Sequence, residues 1–278
     1  MSFYRQYVIL ILLFSTSFAL SQEPIKANKS DSPYLKKYMI VRTAPTFTLQ
    51  LNLNYNQSVL ELAGTYNDDF RSVDFLKGET FGTDKGFGAN VTSKLALNSK
   101  GSLRLVASVS YNRMMTYLFG KSALADYGET KFNTFSGGVG LENCFTPNYN
   151  FKLYAGGEFL ASTINGGGTI WVENRTGTPY SYKINIKNSF RLGFSIYGGT
   201  EYLLTNELGA NLGFKFTLSN LFLKESDKTS DSTDFILEDG KPDTPGRYMG
   251  NKNFAFISVH FGLCFYWGII EKKYELFK

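Results

Sequence analysis

Between residues 45 and 267, apolar and polar side chains alternate with a period of two, in eight runs separated by turn-forming segments. In 45–56, Phe47, Leu49, Leu51, Leu53 and Tyr55 alternate with Thr46, Thr48, Gln50, Asn52 and Asn54. That period puts the two sets on opposite faces of a β-strand, and no helix could keep them apart. The same pattern predicts strands at 86–98, 102–112, 133–145, 151–163, 190–204, 208–220 and 253–267. The gaps between them alternate strictly. Those at 57–85, 113–132, 164–189 and 221–252 are long, whereas 99–101, 146–150 and 205–207 are tight. Eight hairpin-linked strands of this kind predict an all-β, antiparallel up-and-down barrel.

The polar face decides what surrounds that barrel. It carries Lys94, Arg104, Glu142, Lys152, Glu158, Arg191, Glu201 and Lys215, while the other face is continuously apolar. A soluble barrel buries its apolar face inward and keeps few charges inside. A transmembrane barrel does the reverse, with lipid outside and a polar lumen within. Composition agrees with the second arrangement. Aromatics reach 16%, yet mean hydropathy is only −0.17, because apolar and polar positions interleave. The net charge of +5 comes without a long basic block, which excludes the basic stripe of a nucleic-acid-binding surface.

The N-terminus has a different pattern. Arg5 precedes the apolar run VILILLF (residues 8–14), and Ala19-Leu20-Ser21 has small-x-small cleavage chemistry. Residues 1–21 are expected to be an export signal, too short an apolar run to span a membrane comfortably as a helix. Residues 22–42 are polar and basic, a periplasmic lead-in. The barrel is expected at 43–267 and a short periplasmic tail at 268–278.

In these strands the chain resembles the small outer-membrane barrels of Gram-negative bacteria, of the outer-membrane protein A, X and W type. A sharper likeness lies in His260-Phe-Gly262-Leu-Cys-Phe265-Tyr-Trp267, which is similar to the final-strand assembly signal of such barrels. Members of the family usually end at that aromatic, whereas this sequence continues with eleven further residues, too few for the peptidoglycan-binding domain that outer-membrane protein A carries after its barrel. The resemblance implies a non-enzymatic outer-membrane protein of structural or surface-interaction role, with both termini periplasmic. Its partners would be outer-membrane lipid and lipopolysaccharide, the barrel-assembly machinery and an extracellular ligand. Two rivals stay open: a narrow channel or transporter of small hydrophobic molecules, and an outer-leaflet lipid-modifying enzyme.

Candidate chemistry is concentrated in the lumen. By strand phase, Lys94, Arg104, Glu142, Lys152 and Glu201 lie toward the periplasmic end, Glu158 and Lys215 near the middle, and Arg191 nearer the loops. Three acids thus face five bases, and charges confined this way must pair. His260 is the single histidine, and Ser258-Val-His260 faintly resembles a His–Ser pair of lipid-modifying barrels. Both side chains point to the lumen, away from a lipid substrate, so no catalytic residue is assigned. The carboxylates of 224–239, Asp227, Asp231 and Asp234 among them, lack calcium-loop spacing and read as a solvated loop, so neither metal nor cofactor is expected. Phe75, Phe81, Tyr117, Phe119 and Trp171 are read as covering the apolar loop rims. Gly166-Gly167-Gly168 with 169–174 and 180–187 reads as an extension of the fifth and sixth strands above the membrane, with a ten-stranded barrel as the alternative. Finally, Gly140/Glu142/Thr146 and Gly199/Glu201/Thr205 repeat the same spacing before two tight turns.

Overall fold

The computed structural model describes residues 38–63, 83–115, 127–172, 180–222, 234–235 and 253–275. The expected signal segment, the carboxylate loop except for the backbone at 234–235, and Phe75, Phe81, Tyr117 and Phe119 lie outside them, as does the side chain of Trp171. The chain divides into a compact body, Ile40–Lys273, and a second unit made of Met1–Met39 with Tyr274–Lys278. In chain order the strands are β1 Tyr38–Arg42, β2 Phe47–Val59, β3 Lys85–Ala96, β4 Leu103–Met115, β5 Tyr127–Cys144, β6 Phe151–Val172, β7 Tyr180–Leu203, β8 Leu208–Phe222, β9 Asp234–Phe235, β10 Ala255–Trp267 and β11 Glu271–Glu275.

Eight of these strands, β2 to β8 and β10, close into an antiparallel barrel in which each pairs with its sequence neighbours and β10 returns to β2. Strands β1 and β11 form a separate two-stranded ribbon, and β9 adds a short parallel pairing to β7 at Asn185–Ile186. The ten-stranded alternative is therefore corrected. The run after Gly166 pairs Gly166–Val172 with Tyr180–Ile186 as a direct continuation of β6 and β7, displaced by a bulge at Asn165. Strands beyond the membrane thickness are what a long hairpin gives when nothing forces its chain to turn inward again.

The register fixes the barrel's dimensions. Crossing the ladder from Phe47 through Leu95, Leu105, Leu141, Gly157, Ile196, Phe216 and Ile257 returns to β2 at Gln57, ten residues further on. Eight strands ~4.8 Å apart with that stagger tilt by ~41° and enclose a Cα-to-Cα diameter of ~16 Å. Side chains fill such a bore.

The tight turns are made by their own polar residues. Gly101, at φ +67°, donates its N–H to Asn98 O at 3.0 Å, and the Asn98 carboxamide accepts from Ser102 N at 3.0 Å. Thr146 Oγ1 accepts from Leu153 N at 2.8 Å and donates to Phe151 O at 2.9 Å. Thr205 Oγ1 accepts from Leu208 N at 3.0 Å. These are side chain–backbone bonds that hold a chain reversal without a long loop.

Burial alternates residue by residue. In β4 the odd residues Leu103 to Tyr111 are exposed and the even residues Arg104 to Met114 are buried. Phe159 is 78% exposed while Arg104 and Arg191 are 1% exposed. The apolar side chains are thus outside and the charges inside, the inverse of a protein folded in water. Apolar residues in this position are stable only against lipid, and the barrel is a transmembrane one. No helix among the described residues is long and apolar enough to cross a membrane.

Candidate functional site: the charged lumen

The register brings four of the eight predicted lumen charges to one level near the short-turn end. Lys94 from β3 lies with its Nζ 2.8 Å from both Glu142 Oε2 and Glu201 Oε1. Arg104 from β4 reaches the same two carboxylates through Nη1, at 3.2 Å and 3.0 Å. Glu142 comes from β5 and Glu201 from β7. Two cations and two anions cancel, which is the condition under which buried charges are tolerable. Around them Gln50 Nε2 donates to Glu201 Oε1 at 3.0 Å, Tyr266 OH donates to Glu201 Oε2 at 3.4 Å, and Lys94 Nζ sits 3.8 Å over the Tyr154 ring. Below, Leu203, Cys264 and Tyr266 make a small apolar floor with Ile269. Both cysteines, Cys144 and Cys264, are buried free thiols.

Lys152 departs from the expectation that it joins this group. Its Nζ donates to Tyr149 O at 2.7 Å and lies 5.5 Å over the Tyr266 ring, with no carboxylate within ion-pair distance among the described residues. Lys152 is the second residue of β6, so a bend toward the nearby turn carbonyl satisfies the ammonium within its own hairpin.

One level up, Lys215 pairs with Glu158, which also accepts from Ser108 at 2.8 Å and Ser195 at 2.9 Å. His260 shares a 3.2 Å hydrogen bond with Tyr154 OH through Nε2. A cavity of about 20 Å³ remains between these groups and Lys94, room for about one water. Above this level the lumen turns to carboxamides and hydroxyls. Asn52 donates to Asn90 at 2.7 Å, Asn90 to Asn54 at 3.2 Å, Asn56 to Asn112 at 2.9 Å and Ser258 to Asn56 at 2.6 Å. Arg191 donates from Nε to Ser189 Oγ. At the long-loop end, Leu62, Met114, Phe132 and Phe254 are all fully buried, with the two phenylalanine rings 5.0 Å apart edge to face. Ion pairs, an asparagine ladder and an apolar lid thus succeed one another along the bore.

The repeated Gly-x-Glu-x₃-Thr spacing acquires a structural meaning here. Glu142 and Glu201 are the two carboxylates of the tetrad, and Thr146 and Thr205 are the hydroxyls that set the turns four residues later. Gly140 and Gly199 leave room for lumen neighbours: a Cβ on Gly199 would lie 2.6 Å from Tyr154 Oη, and one on Gly140 would lie 2.5 Å from Glu158 Cα. Pattern reading did not single out Tyr154, Tyr266 and Gln50 as site residues. Their even positions, in phase with Glu158, His260 and Lys94's partner row, were the available signal.

Of the expected assembly-signal residues, all four lie on β10. His260 is in the lumen, Gly262 stands opposite Asn52, and Phe265 and Trp267 are on the outer face, Trp267 with its ring 5.3 Å from that of Phe47.

A small, closed, antiparallel barrel with a charged interior and an apolar exterior belongs to the class of transmembrane up-and-down β-barrels, the architecture expected from the resemblance to small outer-membrane barrels. No family model and no curated protein sequence matches the chain. Among solved structures it is similar to Neisserial surface protein A at 14% identity, over 81% of this chain and 99% of that one, with a TM-score of 0.44. The attachment invasion locus protein Ail of Yersinia pestis, solved with the heparin analogue sucrose octasulfate, is similar at 11% identity over 84% of this chain and 100% of that one, with a TM-score of 0.32. The N-terminal β-barrel domain of Pseudomonas aeruginosa OprF is similar at 9% identity over 80% and 100%, with a TM-score of 0.32.

Proposed function

We propose that this chain is a non-enzymatic outer-membrane barrel of a Gram-negative bacterium that presents its long loops to the exterior and keeps both termini in the periplasm. The single observation that carries the reading is the inside-out distribution of side chains along a bore blocked by paired groups. In a ~16 Å barrel, inward side chains from eight strands meet at the axis. The tetrad, the Glu158–Lys215 pair and the lid of Phe132 and Phe254 succeed one another along that axis and favour a plug over a pore. Tight turns at one end and long connections at the other support the orientation, because outer-membrane barrels keep the short turns periplasmic. His260 hydrogen-bonds to Tyr154 in mid-bore, far from any lipid approach, which favours a packing role over catalysis. His260, Gly262, Phe265 and Trp267 act as the assembly signal in this reading, read from β10 as it pairs with β2. The eight lumen charges serve stability and closure, and the loops carry the surface interaction.

The test is planar-bilayer recording of the refolded protein together with fractionation of cells expressing it. Recovery with outer membranes, slower or faster migration of the unheated protein on gels, and no steady conductance are expected. Soluble periplasmic recovery, or large stable currents, would overturn the reading.

A further inference from the structure

Trp267 ends β10 and Phe47 begins β2, opposite one another at the foot of the closing seam. Below that pair the two segments stay joined. Thr46 N donates to Trp267 O at 2.9 Å, and Thr46 Oγ1 donates to the same oxygen at 3.2 Å. Thr43 N donates to Ile270 O at 3.0 Å, and Ile270 N donates back to Thr43 Oγ1 at 2.9 Å. Arg42 Nε then pairs with Glu271 Oε1 at 2.6 Å.

Both segments turn beneath the bore instead of running on along the wall. Gly268, at φ +82°, takes the left-handed conformation that re-aims the chain after β10, and a Cβ there would collide with Thr46 Oγ1. The next residue, Ile269, packs on Leu203, Cys264 and Tyr266, the apolar floor below the tetrad. From the other end, Pro45 is buried, and Ala44 lies so close to the β3–β4 turn that a Cβ on Gly101 would strike it. Arg42 Nη1 donates to Asn150 Oδ1 in the β5–β6 turn. In the closed strand order that turn faces the seam across the ~16 Å of the barrel. A side chain rooted beside the seam thus reaches the opposite wall.

The seam needs such contacts, because the tetrad stands on β3, β4, β5 and β7 and not on the two strands that close the barrel. Alternation of faces forbids β10 to slip along β2 by one residue, since lumen and lipid faces would exchange. A slip by two keeps both faces and changes only the stagger of the barrel. It would carry Ile270 and Glu271 ~7 Å from Thr43 and Arg42, beyond the reach of a hydrogen bond. The lumen reads the same register through Ser258 to Asn56 at 2.6 Å and Gln50 to Cys264 Sγ at 3.5 Å. The foot of the seam adds an ion pair and the backbone bonds of Thr43, Thr46 and Ile270.

We propose that residues 42–46 and 268–271 form a clasp that locks the β2–β10 seam and seals the short-turn mouth of the bore. The stretch beyond the last barrel strand is then a part of the closed barrel and not a passive tail. The inference goes beyond the surface role proposed above and needs only the closed barrel. Because the clasp joins the first barrel strand to the last, it forms only once the barrel has closed. Contacts made that late slow unfolding and leave the folding rate unchanged.

The test compares the full chain with a form truncated after Trp267, both carrying Cys144→Ala and refolded into phosphatidylcholine nanodiscs, which leave both barrel mouths open to reagents. Two quantities are read: the urea unfolding rate, and labelling of Cys264 by a water-soluble maleimide. Truncation should speed unfolding about tenfold, the ratio expected from losing one to two net hydrogen bonds, without changing the folding rate. Cys264 is fully buried in the full chain, and loss of the Ile269 cover should speed its labelling at least about tenfold. Lys272→Gln, a change in the same tail that touches none of these bonds, should alter neither readout, and an effect equal to truncation would overturn the inference. An unchanged unfolding rate in the inserted truncated barrel would remove the lock, and a protected Cys264 would remove the seal; either overturns the inference. A folding rate slowed as much as unfolding is speeded would also overturn it, by placing the contacts before closure. Unheated gel migration checks insertion of every variant. If the truncated chain does not insert, Arg42→Gln with Thr43→Val decides. It keeps the chain length and should unfold about threefold faster, as a half-exposed ion pair and a side-chain bond allow. A parent-like rate there would overturn the inference.

Discussion

Replacing Glu201 by alanine should be among the most damaging single changes in the lumen. The Glu201 carboxylate is fully buried and accepts from Lys94 at 2.8 Å, Arg104 at 3.0 Å, Gln50 at 3.0 Å and Tyr266 at 3.4 Å. Without it, Lys94 and Arg104 face Glu142 alone, and a neutral tetrad becomes one with a net charge of +1 in a confined bore. The tetrad as a whole need not add stability over an apolar filling, because its desolvation roughly offsets its attraction. Removing one member is different, since the remaining charge keeps its desolvation cost and loses its partner. That costs about 3–5 kcal/mol, or some two to three and a half powers of ten in the folding equilibrium. The lost neutral hydrogen bonds contribute only about 1 kcal/mol each, so the stranded charge dominates. Urea unfolding of the refolded protein in lipid bilayers measures it. Glu129→Ala, which breaks a surface pair with a 45%-exposed carboxylate, is the control and should cost about 1 kcal/mol at most. Adding Lys94→Gln to Glu201→Gln restores neutrality, and the double variant should lose about 0.5–3 kcal/mol less than the two single losses added together. An alanine variant within about 1 kcal/mol of the parent, or additive single and double losses, would refute the stranded-charge argument.

Three further outcomes follow from the same geometry. Cys144 on β5 and Cys264 on β10 are four strands apart around the barrel, ~16 Å across, against the ~7 Å limit for a disulfide; thiol titration should find neither cysteine reactive in the folded protein and both after unfolding, and mass spectrometry should find no link. A Cβ on Gly213 would lie 2.5 Å from His260 Nε2, so Gly213→Ala should cost about 1–3 kcal/mol by overpacking, and His260→Ala in the same chain should recover part of it in the same unfolding assay. Glu142→Ala with Glu201→Ala removes both acids of the tetrad, and bilayer recordings should then show brief openings that the parent lacks.

Much of the barrel was legible because a strand's period of two is local. Each run from Phe47 to Tyr55 or Leu103 to Tyr111 declares both faces without reference to any other strand. The ends were less legible. β4 runs on to Met115 because Met114 turns inward under the lid, and an apolar residue on the polar face breaks the alternation that marks a strand. The continuation of β6 and β7 past the membrane was legible in the alternation of Val172, Tyr182, Ile184 and Ile186 with polar residues, but runs that short left a ten-stranded barrel open beside it, and only the pairing of Gly166–Val172 with Tyr180–Ile186 decides between them. Which charges meet was only partly readable. Phase placed Lys94, Arg104, Glu142, Glu201 and Lys152 at one end, but the pairing depends on the ten-residue stagger, a property of the closed ladder and of no single strand. Lys152 reached a turn carbonyl instead, a choice made by a flexible side chain within its own hairpin. The two Gly-x-Glu-x₃-Thr segments were visible as a repeat. Their shared task, an acid for the lumen and a hydroxyl for the turn, needed the three-dimensional neighbours.

The central claim is that the apolar face of each strand meets lipid and the charged face meets the closed lumen. Spin labels placed one at a time from residue 104 to residue 111 on β4, with Cys144 and Cys264 replaced by alanine and the protein in bilayers, test it most directly. Accessibility to dissolved oxygen should peak at 105, 107, 109 and 111, and a water-soluble nickel reagent should reach neither set in mid-strand. Odd positions open to the nickel reagent and closed to oxygen, or accessibility without a period of two, would contradict the account.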